Sequence, residues 1–284
     1  MELKSLSIEL PEVDILARQM NSELVSKHIE KTTIDNYEKL QKQTFFNKDI
    51  SLYDRLNGCK IESVVGRGTV IRLKMNKNMN LLLAPEMGGE LRYHPDRKDL
   101  PKKFHLLLDY KDGSAFSVRL KGYGLVLAAS DGDLANVYSY NRDFLNGVSP
   151  LEVDYTLEYL TKILEERDKN LKTLLVGKEA VVVGFGNAGF QEIAYKAGIH
   201  PKRKSSTFTK AENKALYTAI MNVTESRIKK GGKDSFTDIY GKQGEHCPLI
   251  GGHLRDKPCP KCGTTIERLM FGGGPTYLCP SCQK

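Results

Sequence analysis

Apolar residues near the start of the chain recur with the spacing of one helical face. Val13, Leu16, Ala17, Met20 and Leu24 follow steps of three and four, which is typical of an amphipathic α-helix. The proline and glutamate just before them suit a first helical turn, because proline lacks the N–H and a carboxylate favours the helix dipole. The pattern predicts a helix of about 15 residues.

Between residues 61 and 127 the pattern changes to short apolar and alternating runs, which are typical of strands. Asp112-Gly113 separates two of these runs, and this dipeptide is a strong hairpin signal. We expect one antiparallel β domain, either a sandwich or a flattened barrel. The predicted strands span residues 62–65, 69–75, 79–83, 90–93, 105–110, 115–120 and 125–128.

After Ser149-Pro150 the pattern becomes helical again. Thr209 and Glu212 form a capping box, and an apolar stripe follows it at helical spacing. Between two of the expected helices lies an apolar and then glycine-rich run, residues 181–189, whose backbone can approach another group closely. The predicted helices lie near residues 151–166, 169–176, 187–197 and 210–229, and the stripe consists of Leu216, Ala219, Ile220 and Val223.

The charge is uneven along the 284 residues. The net charge is +8, and residues 201–284 carry 15 Lys and Arg against 7 Asp and Glu, whereas the first 200 residues are neutral. Such a basic segment favours a surface that binds a polyanion, because phosphate neutralisation releases counterions. A solvated, lysine-rich surface is the alternative.

Composition excludes several classes of protein. With 40% hydrophobic and 27% charged residues the chain is typical of a globular protein. The apolar runs are far shorter than the roughly 20 residues of a membrane span, and the N-terminus is too acidic for a signal peptide. We expect a cytoplasmic protein whose cysteines are reduced or bound to metal.

Four of the six cysteines form two CxxC pairs near the C-terminus: Cys259, Cys262, Cys279 and Cys282. Two such pairs, sixteen residues apart, supply four thiolates to one Zn²⁺, and this leaves no position open for water. We therefore expect one structural zinc ion holding a β-hairpin at roughly residues 266–278. The alternative is two disulfides or free thiols, which a cytoplasmic protein disfavours. Cys59 and Cys247 lie outside the pattern.

Several segments together resemble the formamidopyrimidine-DNA glycosylase/endonuclease VIII family. They are the run from Glu9 to Val13, the central β region, the glycine-rich turn ending at Asn187, the run from Ala197 to Pro201, and the terminal zinc hairpin. Their order and spacing match the family over nearly the whole chain.

The resemblance implies an α+β multidomain clamp for duplex DNA. The expected parts are an N-terminal helix and antiparallel β-sandwich (residues 1–145), a helix–two-turn–helix domain (146–245) and a four-cysteine zinc finger (246–284). Family members extrude a damaged base from the stack. A monomer that binds damaged or abasic double-stranded DNA, with no membrane partner, is therefore expected.

The resemblance also implies DNA-binding residues. Asn187 matches the family's phosphate-binding asparagine, and Met87 matches the apolar wedge that fills the space of the extruded base; a core methionine is the alternative. Tyr123 corresponds, less well, to a second intercalating residue. The remaining candidates for DNA contact are Lys121, Gly186 and Arg67.

At three positions the chain departs from the family. The family's nucleophile is an N-terminal proline amine, which forms a Schiff base with the sugar. Here Ile8 precedes Glu9, seven residues precede Ile8, and an internal amide is not a nucleophile. The family's β-domain lysine falls near Thr69, and its zinc-hairpin arginine falls at Gly274, which has no guanidinium for a phosphate.

Glu9 and Glu12 match the family's carboxylates and are candidates for acid–base catalysis. The alternative is that both only begin a helix, where the dipole favours them. Without the proline amine, Glu9 could activate water, or the amine of Lys4 or Met1 could substitute.

Three hypotheses follow. The first is a base-excision-repair glycosylase, with or without abasic-site lyase activity, and the second is a module that binds damaged DNA without cutting it. A zinc-ribbon RNA-binding protein, the third, fits the charge but does not explain the first helix or Met87.

Overall fold

The computed structural model describes residues 8–42, 46–85, 88–121, 124–272 and 274–284. Met87 and Tyr123 lie outside these residues, so their predicted contacts with DNA stay predictions. The helices are α1 (Leu10–Leu24), α2 (Tyr37–Lys42), α3 (Ser51–Asp54), α4 (Tyr138–Tyr140), α5 (Leu157–Arg167), α6 (Leu171–Leu175), α7 (Asn187–Ala197) and α8 (Lys210–Lys229). The strands are β1 (Ile29–Ile34), β2 (Ile61–Arg67), β3 (Val70–Met75), β4 (Met79–Ala84), β5 (Glu90–His94), β6 (Leu106–Tyr110), β7 (Ala115–Arg119), β8 (Leu125–Ser130), β9 (Glu267–Met270) and β10 (Pro275–Leu278).

A β-sandwich forms most of the first lobe, by which we mean the described residues up to 145. One four-stranded antiparallel sheet has the order β1-β6-β7-β5 and the other the order β2-β3-β4-β8. Side chains from both sheets, such as Phe116 and Leu81, share one core. The predicted hairpin at Asp112 is confirmed: Gly113 adopts a φ of +88°, and Tyr110 bonds to Ser114 across the turn.

Helix α1 packs directly on strand β2. A Cβ atom at Gly66 would lie 2.8 Å from the backbone oxygen of Val13, so the absence of a side chain there permits the close approach. Leu16, Met20 and Leu24 are fully buried in the sandwich core. The periodicity of the apolar positions therefore reflects the face of α1 that covers the sheet.

The second lobe, residues 146–272 and 274–284, consists of helices α5 to α8 and the hairpin β9–β10. The apolar stripe of α8 packs with residues of α5, α6 and α7 in a separate core. The hairpin strands pair antiparallel, Tyr277 opposite Arg268. A separate small core surrounds Cys259 and Cys279.

The segment that follows α8 packs against the first lobe and connects the two lobes through non-covalent contacts. Phe236 and Ile239 are buried in the sandwich core, and the amide of Tyr93 on β5 donates to the carbonyl of Ile239 at 3.0 Å. Arg92, also on β5, donates to the hydroxyl of Thr237 at 2.9 Å. The two lobes therefore share apolar and polar contacts beyond their covalent connection.

Candidate functional site

Glu9 and Glu12 begin helix α1 as a capping box. The backbone amide of Glu9 donates to the Glu12 carboxylate, and the amide of Glu12 donates to Glu9, which satisfies two N–H groups at the start of the helix. Leu10 anchors this turn to the second lobe, where its amide donates to the carbonyl of Gly184 at 2.7 Å. Both carboxylates are fully buried.

The Glu9 carboxylate also binds the start of helix α7. The amide of Gly189 donates to Oε2 of Glu9 at 2.9 Å, an arrangement in which the helix dipole stabilises an anion. A Cβ atom at Gly189 would collide with this carboxylate. Part of the glycine-rich run predicted from the sequence thus lets a carboxylate of the first lobe reach the second.

Arg227, in the last turn of α8, pairs with both carboxylates. Its Nη1 lies 2.5 Å from Oε2 of Glu9, and its Nη2 lies 2.5 Å from Oε2 of Glu12. Its Nε donates to Oε1 of Glu12 at 3.2 Å. Such charge-assisted pairs are strong when they are buried and fully hydrogen-bonded, and only 1% of Arg227 is exposed.

Lys233 completes a group that we call the interlobe cluster: Glu9, Glu12, Arg227 and Lys233. The backbone amide of Lys233 donates to Oε1 of Glu12 at 3.1 Å, and the residue is buried. Burial lowers the pKa of the Lys233 ammonium, against the opposing attraction of Glu12 and Glu9. With two carboxylates and two basic side chains, the cluster is formally neutral.

The charges of the cluster act on the Glu12 carboxyl. Burial alone raises its pKa, but the attraction of Arg227 and Lys233 and the hydrogen bonds from both residues outweigh burial, so the pKa of Glu12 is lowered. The carboxyl is therefore held as an anion within a closed, buried network.

Ile8 occupies the position before these carboxylates. Its side chain is buried in the sandwich core, and its nitrogen belongs to a peptide bond. An amide nitrogen has no free lone pair for attack on a sugar carbon, so this position carries no amine nucleophile.

Arg67 connects the lobes through its guanidinium. Nε and Nη2 donate to the Glu152 carboxylate at 2.6 and 2.9 Å. Nη1 donates to the carbonyls of Asp143 and Phe144, and Nη2 also donates to the carbonyl of Gly147. All five N–H groups are thus used within the protein. We assign Arg67 to the junction between the lobes, in place of the phosphate contact that we expected from the sequence.

Thr69 lies at the same junction. Its amide donates to the Asp143 carboxylate at 2.7 Å, and its hydroxyl donates to the same oxygen at 2.9 Å. Where the family has a lysine for phosphate, this chain therefore has a threonine that binds the segment leading into the second lobe.

Lys121 follows strand β7 and is available at the surface. Its ammonium pairs with Glu90, and 42% of its side chain is exposed. A surface ion pair of this kind is weak and can exchange for a phosphate. Among the expected DNA contacts in the described residues, Lys121 is the cation that remains open to solvent.

Asn187 is the first residue of α7 and faces the tip of the zinc hairpin, and Gly186 is the N-cap before it. A Cβ atom at Gly274 would lie 2.8 Å from Nδ2 of Asn187. Oδ1 of Asn187 is buried, with no hydrogen-bond partner among the described residues. The glycine at the hairpin tip therefore leaves room for the asparagine while removing the family's guanidinium.

Lys172 on α6 binds the tip of the hairpin through hydrogen bonds. Its ammonium donates to the carbonyls of Phe271 and Gly274 and, at 2.9 Å, to the hydroxyl of Thr276. Burial lowers its pKa to about 8. Lys172 could not be identified from the sequence, since a lysine in a short helix has no distinctive spacing.

The four predicted zinc ligands come together at the other end of the hairpin. The sulfur atoms of Cys259, Cys262, Cys279 and Cys282 all lie within 4.8 Å of one another. A tetrahedron with Zn–S bonds of about 2.3 Å needs separations of about 3.8 Å. The sulfur of Cys259 lies 3.9 Å from that of Cys282, and the sulfur of Cys262 lies 3.4 Å from that of Cys279. The donor set fits a structural Zn²⁺ centre.

Of the two basic residues in the interlobe cluster, Arg227 could have been identified from the sequence pattern as a buried charge. It lies four residues after Val223, so it continues the apolar stripe of α8 with a charged side chain. A charge on a buried helical face requires a partner. The sequence does not reveal that the partners are Glu9 and Glu12, more than 200 residues away. Lys233 had no comparable signal.

None of the described helices combines the length and the apolar character that a membrane-spanning segment needs.

Three family models match the chain in succession. The formamidopyrimidine-DNA glycosylase N-terminal domain matches residues 8–120, the formamidopyrimidine-DNA glycosylase H2TH domain matches residues 146–238, and the zinc finger found in FPG and IleRS matches residues 256–284.

Curated relatives extend the match over the whole chain. The formamidopyrimidine-DNA glycosylase of Brevibacillus brevis is 28% identical over 284 residues, covering 97% of this chain and 99% of that protein. The Streptococcus pneumoniae enzyme of the same name is 29% identical over 285 residues, covering 97% and 98%.

Solved structures share the fold. A Lactococcus lactis Fpg in complex with abasic-site DNA superposes with a TM-score of 0.80 at 22% identity, covering 97% of this chain and 99% of that one. The MutM (Fpg) protein of Thermus thermophilus gives a TM-score of 0.79 at 22% identity, covering 97% and 98%. The order of the three matched domains, the shared fold and the four-cysteine zinc centre place this chain in the formamidopyrimidine-DNA glycosylase/endonuclease VIII family.

Proposed function

We propose that this chain binds duplex DNA at damaged or abasic sites, in base excision repair, without the Schiff-base lyase chemistry of its family. The observation that carries the proposal is Ile8, a buried residue with an amide nitrogen in the place of the family's amine. The curated relatives are glycosylases by name, and the similar Lactococcus lactis Fpg structure is a complex with DNA that contains an abasic site.

The state of Glu9 also favours binding over catalysis. A general acid must carry a proton and a general base must reach water or substrate. The Glu9 carboxylate is fully buried and held between Arg227 and the amide of Gly189. Both contacts engage Oε2 of Glu9 within the protein. A catalytic role for Glu9 and Glu12 would require the interlobe cluster to open.

Parts of a DNA-binding surface are retained. Asn187 stands at the start of α7 with its Nδ2 amino group, a donor that a phosphate can accept from, beside the hairpin tip at Gly274, and Lys121 is exposed on the first lobe. The excess positive charge lies in residues 201–284, within the second lobe. These features support a clamp whose affinity depends on phosphate contacts and therefore on salt.

The test uses the full-length protein with matched duplexes that contain an abasic site, an oxidised purine or no lesion. Gel-shift binding, strand cleavage and borohydride trapping are scored together. We expect tighter binding to the lesion duplexes, with neither cleavage nor a trapped adduct. Asn187→Ala should weaken lesion binding several-fold, whereas Asn222→Ala, at an exposed position of α8, should not. Equal affinity for all three duplexes would refute lesion recognition.

A second candidate function is lesion cleavage with Lys233 as the nucleophile. The observation in its favour is a buried amine beside Glu9 and Glu12 whose pKa burial lowers, as for other amine nucleophiles. As for Glu9, this role requires the cluster to open, since Lys233 is buried. The neutral amine would attack C1′ as the bond to the base breaks, and the base would leave with that electron pair. The nitrogen would then pass a proton to O4′ as the C1′–O4′ bond breaks and the nitrogen lone pair forms the C1′=N bond, which gives the Schiff base that borohydride reduces. A trapped adduct that disappears in Lys233→Ala but persists in Lys230→Ala would support this function over simple binding. Lys4 and Met1, the amines expected from the sequence, lie outside the described residues.

Monomeric state, cytoplasmic location and the three domain boundaries remain predictions from the sequence.

A further inference from the structure

One polar face of helix α7 contacts the hairpin β9–β10 and the zinc ligands from one end of the helix to the other. Asn187, Gln191 and Tyr195 are spaced by four residues, so they lie on one side of the helix. Asn187 adjoins the hairpin tip at Gly274. The side-chain oxygen of Gln191 accepts from the amide of Tyr277 at 2.9 Å.

Tyr195 makes the last contact of this face, with a zinc ligand itself. Its hydroxyl oxygen lies 3.2 Å from the sulfur of Cys259, and Cys259 is only 3% exposed. Tyr195 also packs against the small core formed by Ile250, Cys259 and Ile266. A hydroxyl is both donor and acceptor, whereas a zinc-bound cysteine is a thiolate and only accepts. The proton in this contact therefore belongs to the tyrosine.

We propose that Tyr195 is an outer-shell residue of the zinc centre, and that its hydrogen bond to the Cys259 thiolate couples the metal to the helix that carries Asn187. Four thiolates around Zn²⁺ leave a net charge of about −2 on the centre, next to the negative end of the α7 dipole. A donor in the last turn of α7 offsets this repulsion. Groups that hydrogen-bond to a ligand orient it and tune its basicity.

The end of α7 is also hydrogen-bonded to the segment that carries the second cysteine pair, so the helix contacts both pairs of zinc ligands. The amide of Lys284 donates to the carbonyl of Gly198 at 3.0 Å, and the amide of His200 donates to the carbonyl of Lys284 at 2.9 Å. The amide of Gln283 donates to the carbonyl of Cys279 at 3.0 Å. A change in the geometry of the zinc centre is therefore transmitted to α7 through both cysteine pairs.

The first experiment measures zinc release from wild-type protein and Tyr195→Phe with a chromophoric chelator in excess. Phenylalanine keeps the ring and its packing and removes only the hydroxyl. Loss of one hydrogen bond to a charged acceptor should speed zinc release by at least about tenfold. Tyr159→Phe, at an exposed position of α5, is the matched control and should release zinc at the wild-type rate. Equal rates for wild-type protein and Tyr195→Phe would overturn the proposal.

The second experiment detects the hydrogen bond independently of stability. With Co²⁺ in place of zinc, the thiolate-to-metal charge-transfer band should shift to lower energy in Tyr195→Phe, because the sulfur lone pair loses its stabilising donor. Gln191→Ala removes a different contact of the same helix face and should leave the band in place. A shift in Gln191→Ala equal to that in Tyr195→Phe would refute a direct role for the hydroxyl.

A third measurement addresses the coupling to DNA and rests on the proposed function. When chelator is titrated into the protein, Tyr195→Phe should lose binding to abasic duplex at a lower chelator concentration than Tyr159→Phe. With zinc in excess, the two variants should bind the duplex equally. Loss of binding at the same chelator concentration in both variants would refute the coupling. If neither variant nor the wild-type protein binds the duplex, the proposed function fails while the zinc measurements still decide the role of Tyr195.

Discussion

The zinc centre and the interlobe cluster are both groups of four polar side chains in a protein interior, but they are assembled differently. All four cysteines lie between residues 259 and 282, so local spacing defines the centre. The cluster joins Glu9 and Glu12 to Arg227 and Lys233, across more than 200 residues. A local motif can keep its function while the sequence around it diverges. A site assembled from distant segments changes its chemistry when any one of them changes.

The two regions also differ in what holds them together. The zinc hairpin has a small core and depends on the metal for its fold. The cluster is embedded between the sandwich core and helix α8, and its charges are compensated within the protein. The first region is therefore stabilised by an added ion, and the second by internal pairing whose value depends on every partner being present.

Removal of zinc should have the largest effect. Because a four-thiolate site contributes directly to folding, chelation or Cys279→Ser should unfold the β9–β10 hairpin and lower the affinity for lesion duplex by at least about tenfold, while the sandwich keeps its structure. Limited proteolysis with mass spectrometry locates the unfolded segment, and a gel shift measures binding. Cys247→Ser, an exposed cysteine outside the cluster, is the control. Cleavage spread equally over both lobes would contradict the independence of the two regions.

Arg227→Met should have the next largest effect. It leaves Glu9 and Glu12 buried without their main partner, and breaking a buried ion pair on one side costs about 3–5 kcal/mol of unfolding free energy. Urea denaturation measures this change. Arg255→Met is the control, because Arg255 and its partner Asp256 are 53% and 74% exposed, and a surface ion pair contributes about 0–1 kcal/mol.

The triple variant Arg227→Met, Glu9→Gln and Glu12→Gln sharpens this test. Neutral amides tolerate burial better than unpaired carboxylates, so the triple variant should recover part of the lost stability. If Arg227→Met alone is no more costly than Arg255→Met, the cluster does not stabilise the junction of the lobes.

The fold was predictable to the extent that it rests on local periodicity. Helices α1, α7 and α8 lie where the apolar spacing places them, and each predicted strand overlaps an observed one. Strand β1 escaped prediction: its residues, Ile29–Ile34, include one buried apolar side chain, and the strand pairs on one side with β6 at the edge of its sheet. The helix predicted from residue 151 begins at Leu157, because Thr156 supplies the N-cap.

The site was predictable only in part, for the same reason. The zinc ligands follow from spacing, whereas the phosphate contact of Asn187 is expected from the family resemblance alone. Arg67 was expected to contact DNA from the family resemblance, and only the fold places it against Glu152. The pairing of Arg227 with the carboxylates of α1 depends on how the lobes pack, which no local pattern encodes.

Acidification should separate the two regions. The pKa of Glu12 is lowered from its ordinary value of 4.5 in the folded protein, so its contribution to stability is complete above about pH 4.5 and is lost as the pH falls further. Zinc and protons compete for the cysteine thiolates at a higher pH than that at which Glu12 titrates, because the free thiol has a pKa of about 8.5. Zinc should therefore dissociate before the sandwich unfolds, which a chelator dye and circular dichroism follow in one titration.

Glu12→Gln tests the assignment of the acid transition. This variant should be less stable at neutral pH, and its stability should vary less below about pH 4.5 than that of the wild-type protein, since the titrating carboxyl is gone. An unchanged pH dependence would mean that another carboxyl controls acid unfolding. Glu225→Gln, on the exposed side of α8, should reproduce the wild-type profile.

Lys121→Ala should have the smallest effect, and it compares an exposed cation with the buried cations of the cluster. Lys121 pairs with Glu90 at the surface, so its loss should barely change the free energy of unfolding. If it neutralises one phosphate, the slope of log Kd against log salt concentration should fall by about 0.9 for duplex DNA. Lys162→Ala, on α5 with 72% of its side chain exposed, should leave the slope unchanged. Equal slopes for Lys121→Ala and the wild-type protein would remove Lys121 from the interface and leave DNA binding by the first lobe to other residues.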